Sequence, residues 1–205
     1  MIIDFIRNRR WPGVRGVIGL PLKEFQGTSF FRWFAFGECS DEAPPSEAVQ
    51  RPVVVFRPEG EDFHDHVCLV TTLQGDRIEN IELGFEPAMS ASRCFPFALD
   101  CAKSFLTAAT APDGRATGRI GKLVSALEAM MEAQSLHASS HSAANPVERD
   151  GRMLKAVKVF TGLADVCELE ENGLRIRISG RAEHAPGGRY ALRVGIARVD
   201  RRWPL

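Results

Sequence analysis

The segment that most constrains the fold is residues 165–180, DVCELEENGLRIRISG, where two alternating runs flank an Asn-Gly pair. Asn-Gly favours a two-residue turn, because both positions of that turn need a positive φ. Opposite charges would then face each other on one side of the hairpin, and apolar residues on the other. The expected cross-strand pairs are Glu170–Arg175, Glu168–Arg177, Leu169–Ile176 and Cys167–Ile178. We therefore predict a half-buried antiparallel hairpin.

Four further segments have strand-like patterns. The run at 28–39 has aromatic residues on both faces of an extended chain, which predicts an aromatic strand. A short strand is predicted at 52–58, between two prolines, and another at 189–199, where apolar residues alternate. Residues 66–85 form a second predicted hairpin, turning at Gly75-Asp76. That turn would pair Val70 with Ile81, Cys68 with Leu83 and His66 with Phe85.

Two helices are predicted between these groups of strands. Residues 96–111 begin at a proline, which suits a first helical turn, and residues 117–136 carry an apolar stripe at helical spacing. The loop before the second helix contains glycines and a lysine but lacks the phosphate-loop pattern, so we expect a plain helix–helix connection. Because strands and helices do not alternate, we predict an α+β fold: mostly antiparallel sheet with a central pair of helices.

The 205 residues fit one large domain, with or without a small appendage. We predict an α+β domain over 1–136, which includes the aromatic strand, the first hairpin and both helices. A polar stretch rich in small residues at 137–151 predicts a flexible linker. Residues 152–205 would form a C-terminal β-hairpin region that packs on the same core.

The formal net charge is zero, but the charges are unevenly distributed along the chain. Residues 38–86 carry twelve acidic residues against three arginines, whereas residues 1–37 and 172–205 are basic. The basic ends and the acidic middle would attract each other in the fold, or the middle would present an acidic face to a partner. An acidic surface repels phosphates, so a nucleic acid is not the expected partner.

No apolar run is long enough to span a membrane, and the first ten residues lack the order of a signal peptide. We therefore expect a soluble, cytoplasmic protein. Five cysteines without a Cys-x-x-Cys pair indicate reduced, mostly buried thiols. The excess of arginine over lysine, 21 to 5, is typical of a GC-rich and most simply bacterial coding sequence.

Candidate binding residues lie in the acidic middle and in the aromatic run. The acidic candidates lie within the stretch EGEDFHDH at 59–66, and the aromatic run contributes a basic residue beside a tryptophan. The predicted partner-binding residues are Glu59, Glu61, Asp62, Asp65, Arg32 and Trp33. The expected partner is another protein with a basic surface, because opposite charges steer association.

His64 and His66 carry the alternative interpretation. On a strand, residues two apart are about 6.6 Å apart and point to the same face, so two imidazoles could bind one transition metal. Cys68 would be too far along the strand, so a third ligand would come from elsewhere, such as His137 or His141. Since only two ligands have a suitable spacing, we expect no cofactor.

No Ser-His-Asp set, Cys-His set or nucleophile elbow is present in the sequence. We therefore predict a non-catalytic bacterial protein-binding module, of the kind represented by immunity proteins, chaperones and adaptors. The alternative is a small metal-dependent enzyme or metal-binding protein centred on His64 and His66. The sequence leaves the oligomeric state open.

Overall fold

The computed structural model describes residues 16–39, 52–86, 95–111, 116–137, 151–160, 163–180 and 192–199. The described helices are α1 (Leu22–Gln26), α2 (Ser29–Trp33), α3 (Glu61–His64), α4 (Phe95–Thr110), α5 (Gly118–His137) and α6 (Gly151–Phe160). The strands are β1 (Phe36–Glu38), β2 (Val53–Pro58), β3 (Val67–Gln74), β4 (Arg77–Phe85), β5 (Val166–Glu171), β6 (Leu174–Ser179) and β7 (Leu192–Arg198). The predicted α+β class is confirmed.

All seven strands form one antiparallel sheet in the order β1-β2-β3-β4-β7-β6-β5. Two meanders, β1 to β4 and β5 to β7, join where β4 pairs with β7 in the middle of the sheet. Three helices lie between the meanders in sequence: α4, α5 and α6. The predicted central pair of helices is therefore not confirmed as such. Helices α4 and α5 match the two predicted segments, whereas α6 was not predicted.

The helices pack on one face of the sheet, which we call the helix-covered face. On β3, β4 and β7 the alternating residues on that face belong to one buried cluster, together with apolar residues of α4, α5 and α6. Examples are Leu69, Leu83 and Val194, all 0% exposed and side by side in the ladder. Because residues from both meanders share this cluster, one core supports the whole described sheet.

The other face of the sheet, which we call the open face, is polar on its β4–β5 side. Three ion pairs cross its neighbouring strands: Glu82 with Arg193 at 3.2 Å, Arg177 with Glu168 at 3.8 Å and Arg175 with Glu170 at 2.8 Å. On β2 and β3 the same face is buried, at Val55, Arg57 and Cys68. From β4 to β5, the alternation of apolar and charged residues is typical of an antiparallel sheet with one face on the core.

The hairpin of β5 and β6 has the predicted register. Cys167 pairs with Ile178, Glu168 with Arg177, Leu169 with Ile176 and Glu170 with Arg175. The two turn residues, Asn172 and Gly173, have φ values of 52° and 75°, as the predicted turn requires. The Asn-Gly turn and the facing charged and apolar residues together predicted this register.

The predicted pairing within 66–85 is wrong by one residue. The turn at Gly75-Asp76 is present, and Gln74 pairs with Arg77, but the register shifts between Thr72 and Leu73. The ladder continues from Ile78 to Asn80, so Glu79 is an extra residue, a β-bulge. Beyond it Leu69, not Cys68, faces Leu83, and Cys68 lies opposite Gly84 on the open face.

The predicted aromatic strand at 28–39 is also wrong, because residues 29–33 are helical and only Phe36–Glu38 is extended. A helix brings positions i, i+1 and i+4 to one side, which buries Phe30 and Phe31 and half-buries Phe34. Arg32 and Trp33 then point to solvent. The aromatic residues that would lie on both faces of a strand therefore lie on one buried side of the helix.

The described cysteines are free thiols. Cys68, Cys101 and Cys167 are buried and Cys39 is half-buried, in agreement with the prediction; Cys94 lies outside the described residues. Burial raises the pKa of the Cys101 thiol well above its ordinary value, and the neighbouring Asp100 raises it further. Cys101 is therefore a neutral core residue, without the thiolate that reactivity needs.

Candidate protein-binding surface

Two of the predicted binding segments meet at one edge of the sheet. Residues 59–65, which we call the acidic turn, follow β2 and include α3. The backbone N–H of Glu59 donates a 2.9 Å hydrogen bond to the carbonyl of Ala35, just beyond the end of α2. Arg32 and Trp33 on α2 are therefore neighbours of the acidic turn, although they are nearly thirty residues away in sequence.

The acidic turn is held by hydrogen bonds at both of its ends. The Arg57 guanidinium, 8% exposed, donates from Nη1 to the carbonyl of His64 at 3.0 Å. His64 in turn lies 2.9 Å from the carbonyl of Pro58 through Nδ1. A carbonyl can only accept, so that nitrogen carries the proton. These bonds close the turn into a fixed loop at the end of β2.

Aromatic stacking ties the acidic turn to the helices. The ring of Phe63, in α3, stacks on that of Phe97, in α4, with centroids 3.9 Å apart and an interplanar angle of 3°. Phe34 meets the same Phe97 ring edge-on at 5.5 Å. One aromatic residue of α4 thus supports both segments of the candidate surface, which gives the surface a rigid base.

Trp33 is the largest side chain that this surface exposes. Trp33 is 74% exposed. In the described ranges the only other large hydrophobic residue with similar exposure is Leu163, at 76%. On the same two segments, Arg32, Glu59, His64 and Asp65 are also exposed. Glu61 and Asp62 form the start of α3. A solvent-exposed tryptophan next to a rigid loop is an arrangement typical of a binding surface.

His64 and His66 do not lie on a strand, so the geometric basis of the metal hypothesis is wrong. His64 ends α3, and β3 begins only at Val67. The Nδ1 atom of His66 lies 2.8 Å from Oε2 of Glu86, a contact that joins the start of β3 to the end of β4. Among the described residues, no three His, Cys, Asp or Glu side chains are grouped closely enough to hold a metal ion. His141 lies outside the described residues.

The N-terminus of α5, where glycines invited a phosphate-binding interpretation, is occupied by the protein's own carboxylate. Glu171, at the end of β5, accepts hydrogen bonds from the backbone N–H groups of Arg119 at 3.1 Å and Ile120 at 2.9 Å. A carboxylate at a helix N-terminus satisfies free N–H groups and complements the helix dipole. The sequence gives no sign of this contact, because it joins residues more than fifty positions apart.

No family model matches the chain, and no curated protein or solved structure is significantly similar to it. In the described part of the chain, no helix is both long and apolar enough to cross a membrane.

Proposed function

We propose that the protein is a non-catalytic binding module that recognises another protein through Trp33 and the acidic turn. The observation that carries this proposal is the 74% exposure of Trp33 next to a turn fixed at both ends. Tryptophan is strongly enriched among the residues that dominate binding energy at protein interfaces. A rigid surface also loses little conformational entropy when a partner binds.

The charge of the neighbouring acidic turn indicates the chemistry of the partner. Glu59 and Asp65 of that turn are exposed, and Glu38, at the end of β1, is exposed as well. A partner with lysine or arginine around an apolar pocket would receive the indole ring and complement these carboxylates. Arg32 adds one positive charge on the same helix as Trp33, so the surface would also favour a partner with a single acidic group beside that pocket.

A photo-crosslinking residue placed at position 33 tests this proposal in cells that express the chain. We expect one discrete crosslinked partner, identified by mass spectrometry, whose yield falls when Glu59 and Asp65 are both changed to lysine. Binding of the purified partner should weaken as salt rises, because exposed charges are screened over about 10 Å at 0.1 M.

The matched control places the same crosslinker at Leu163, which is as exposed as Trp33 but lies between α6 and β5. It should not capture the partner. The same diffuse set of crosslinked proteins from both positions would contradict the proposal, since exposure alone would then explain the capture.

A further inference from the structure

The strand β5 forms one outer edge of the sheet, opposite to the edge formed by β1. Its register identifies the backbone groups that point outwards. Gly180 donates from its N–H to the carbonyl of Asp165 at 2.7 Å, so Asp165, Cys167, Leu169 and Glu171 bond to β6. The N–H and carbonyl groups of Val166, Glu168 and Glu170 therefore point away from the sheet.

Within the described part of the chain, no strand lies beside these outward groups. No hydrogen bond of the described residues joins the backbone of Val166, Glu168 or Glu170 to a neighbour on that side. Helix α6 packs against β5 through Ala156, Val159 and Phe160, which share the buried cluster on the helix-covered face. An unpaired row of N–H and carbonyl groups is a template for strand addition.

The side chains along this edge specify the charge of an added strand. Glu168 and Glu170 project on the open face, and their side chains are 50% and 51% exposed. Each already pairs with an arginine of β6 on its inner side, Arg177 and Arg175. A new strand beside β5 would place its own side chains next to Glu168 and Glu170 on the open face, and opposite charges at cross-strand positions stabilise a sheet.

A second copy of β5 would not suit this edge. Antiparallel pairing of two copies would bring glutamates of one copy next to glutamates of the other, and like charges directly opposite destabilise a sheet. The aliphatic row on the helix-covered face, Leu169 beside Ile176, would continue best into another aliphatic residue. Strand β6, with the pattern LRIRIS, already supplies both kinds of side chain on the inner side: arginines next to the glutamates and aliphatic residues next to Leu169.

We propose that the outer edge of β5 accepts an extended segment of a partner protein as an eighth, antiparallel strand. That segment carries basic residues at two alternate positions and aliphatic residues between them, as β6 does. This interaction is independent of the surface around Trp33, because the two lie at opposite edges of the sheet.

A peptide copied from residues 173–180, GLRIRISG, is the probe, and the same peptide with both arginines replaced by glutamate is its control. Titration into the isotope-labelled full chain is followed by the NMR shifts of backbone amides. We expect the amides of Val166, Glu168 and Glu170 to shift and their hydrogen exchange to slow. The glutamate peptide should bind at least tenfold more weakly.

A charge-swapped chain provides the matched variant: Glu168→Arg and Glu170→Arg combined with Arg175→Glu and Arg177→Glu. Positions 168 and 177, and positions 170 and 175, still carry opposite charges, so we expect the hairpin to be retained. The edge strand then becomes basic. We expect this chain to prefer the glutamate peptide. If it does not fold, the double change Glu168→Gln and Glu170→Gln should abolish the discrimination between the two peptides.

Three outcomes would overturn the inference. In the first, the amides of Val166, Glu168 and Glu170 do not shift at millimolar peptide. In the second, the wild-type and charge-swapped chains prefer the same peptide. In the third, the basic peptide would shift only amides of the acidic turn and α2, which would support the proposed function but not strand addition. Failure of the crosslinking at Trp33 would leave this edge unaffected, so the two results are distinguishable.

Discussion

Phe30 and Trp33 lie three residues apart in α2 and have opposite surroundings. Phe30 is 1% exposed and its ring meets those of Phe25, Phe36 and Phe105 at 5.0 to 6.0 Å. We expect Phe30→Ala to lower the free energy of unfolding by about 3–5 kcal/mol, because it removes a large core side chain and leaves a cavity. Urea denaturation followed by far-UV circular dichroism measures this.

Trp33→Ala is the matched control for that change. Its side chain is mostly in solvent, so we expect the free energy of unfolding to stay within about 0.5 kcal/mol of the wild type. A large loss of stability for Trp33→Ala would show that the indole ring supports the fold, and would remove the basis for placing it in a binding surface.

The environment of single residues could be predicted only where a local pattern determines it. Buried, reduced thiols at Cys101 and Cys167 follow from the usual preference of cysteine for the interior, and the structure has them. The shared face of His64 and His66 depended instead on an extended chain. A helical turn at Glu61–His64 removed that condition, and four residues are too few for periodicity to distinguish the two conformations.

At the level of elements, the two hairpins differ in how much the sequence specifies. The β5–β6 register was predicted residue by residue, because Asn172-Gly173 fixes the turn and opposite charges face each other beyond it. The β3–β4 hairpin has an equally clear turn, but the bulge at Glu79 in β4 shifts by one residue the β4 partner of each β3 residue from Val67 to Thr72. A bulge depends on the twist and packing of the sheet, which cannot be predicted from the local sequence.

The capping of α5 by Glu171 gives a test at this level. We expect Glu171→Ala to lower the free energy of unfolding by about 1–2 kcal/mol, because two N–H groups at the helix N-terminus lose a charged acceptor. Gly118→Ala should also destabilise the protein, since a Cβ there would overlap Oε1 of Glu171 and φ is +62°. Thermal and urea unfolding measure both.

Glu168→Ala is the control in the same strand. It removes a long ion pair of 3.8 Å whose carboxylate is half exposed, for which we expect a change below about 0.5 kcal/mol. If Glu171→Ala proved no more harmful than Glu168→Ala, the carboxylate at the N-terminus of α5 would contribute nothing beyond an ordinary surface charge.

For the whole molecule, the decisive feature is β7, which lies between β4 and β6 and bonds to both. A chain that ends after Gly180 lacks this strand, so the two meanders have no direct link in the sheet. We expect it to lose cooperative thermal unfolding, monitored by calorimetry. A chain that ends after Val199 keeps every described strand and should unfold cooperatively. Equal transitions for both truncations would contradict this account of the fold.

The candidate surface itself could be predicted only as two separate pieces. Charge distribution singled out the acidic middle, and aromatic content singled out Arg32 and Trp33. Their meeting depends on the bond between Glu59 and Ala35 and on the Phe97 ring that supports both segments. Such contacts between distant segments leave no periodic pattern in the sequence.

The central position of β7 also has a consequence for synthesis of the chain. Glu82 and Arg193, which pair across β4 and β7, are 111 residues apart. At about 5–20 residues per second, the ribosome would release β7 on the order of ten seconds after β4. During that interval the nascent first meander has an unfinished inner edge, so stalled or prematurely terminated chains should be unusually prone to aggregate.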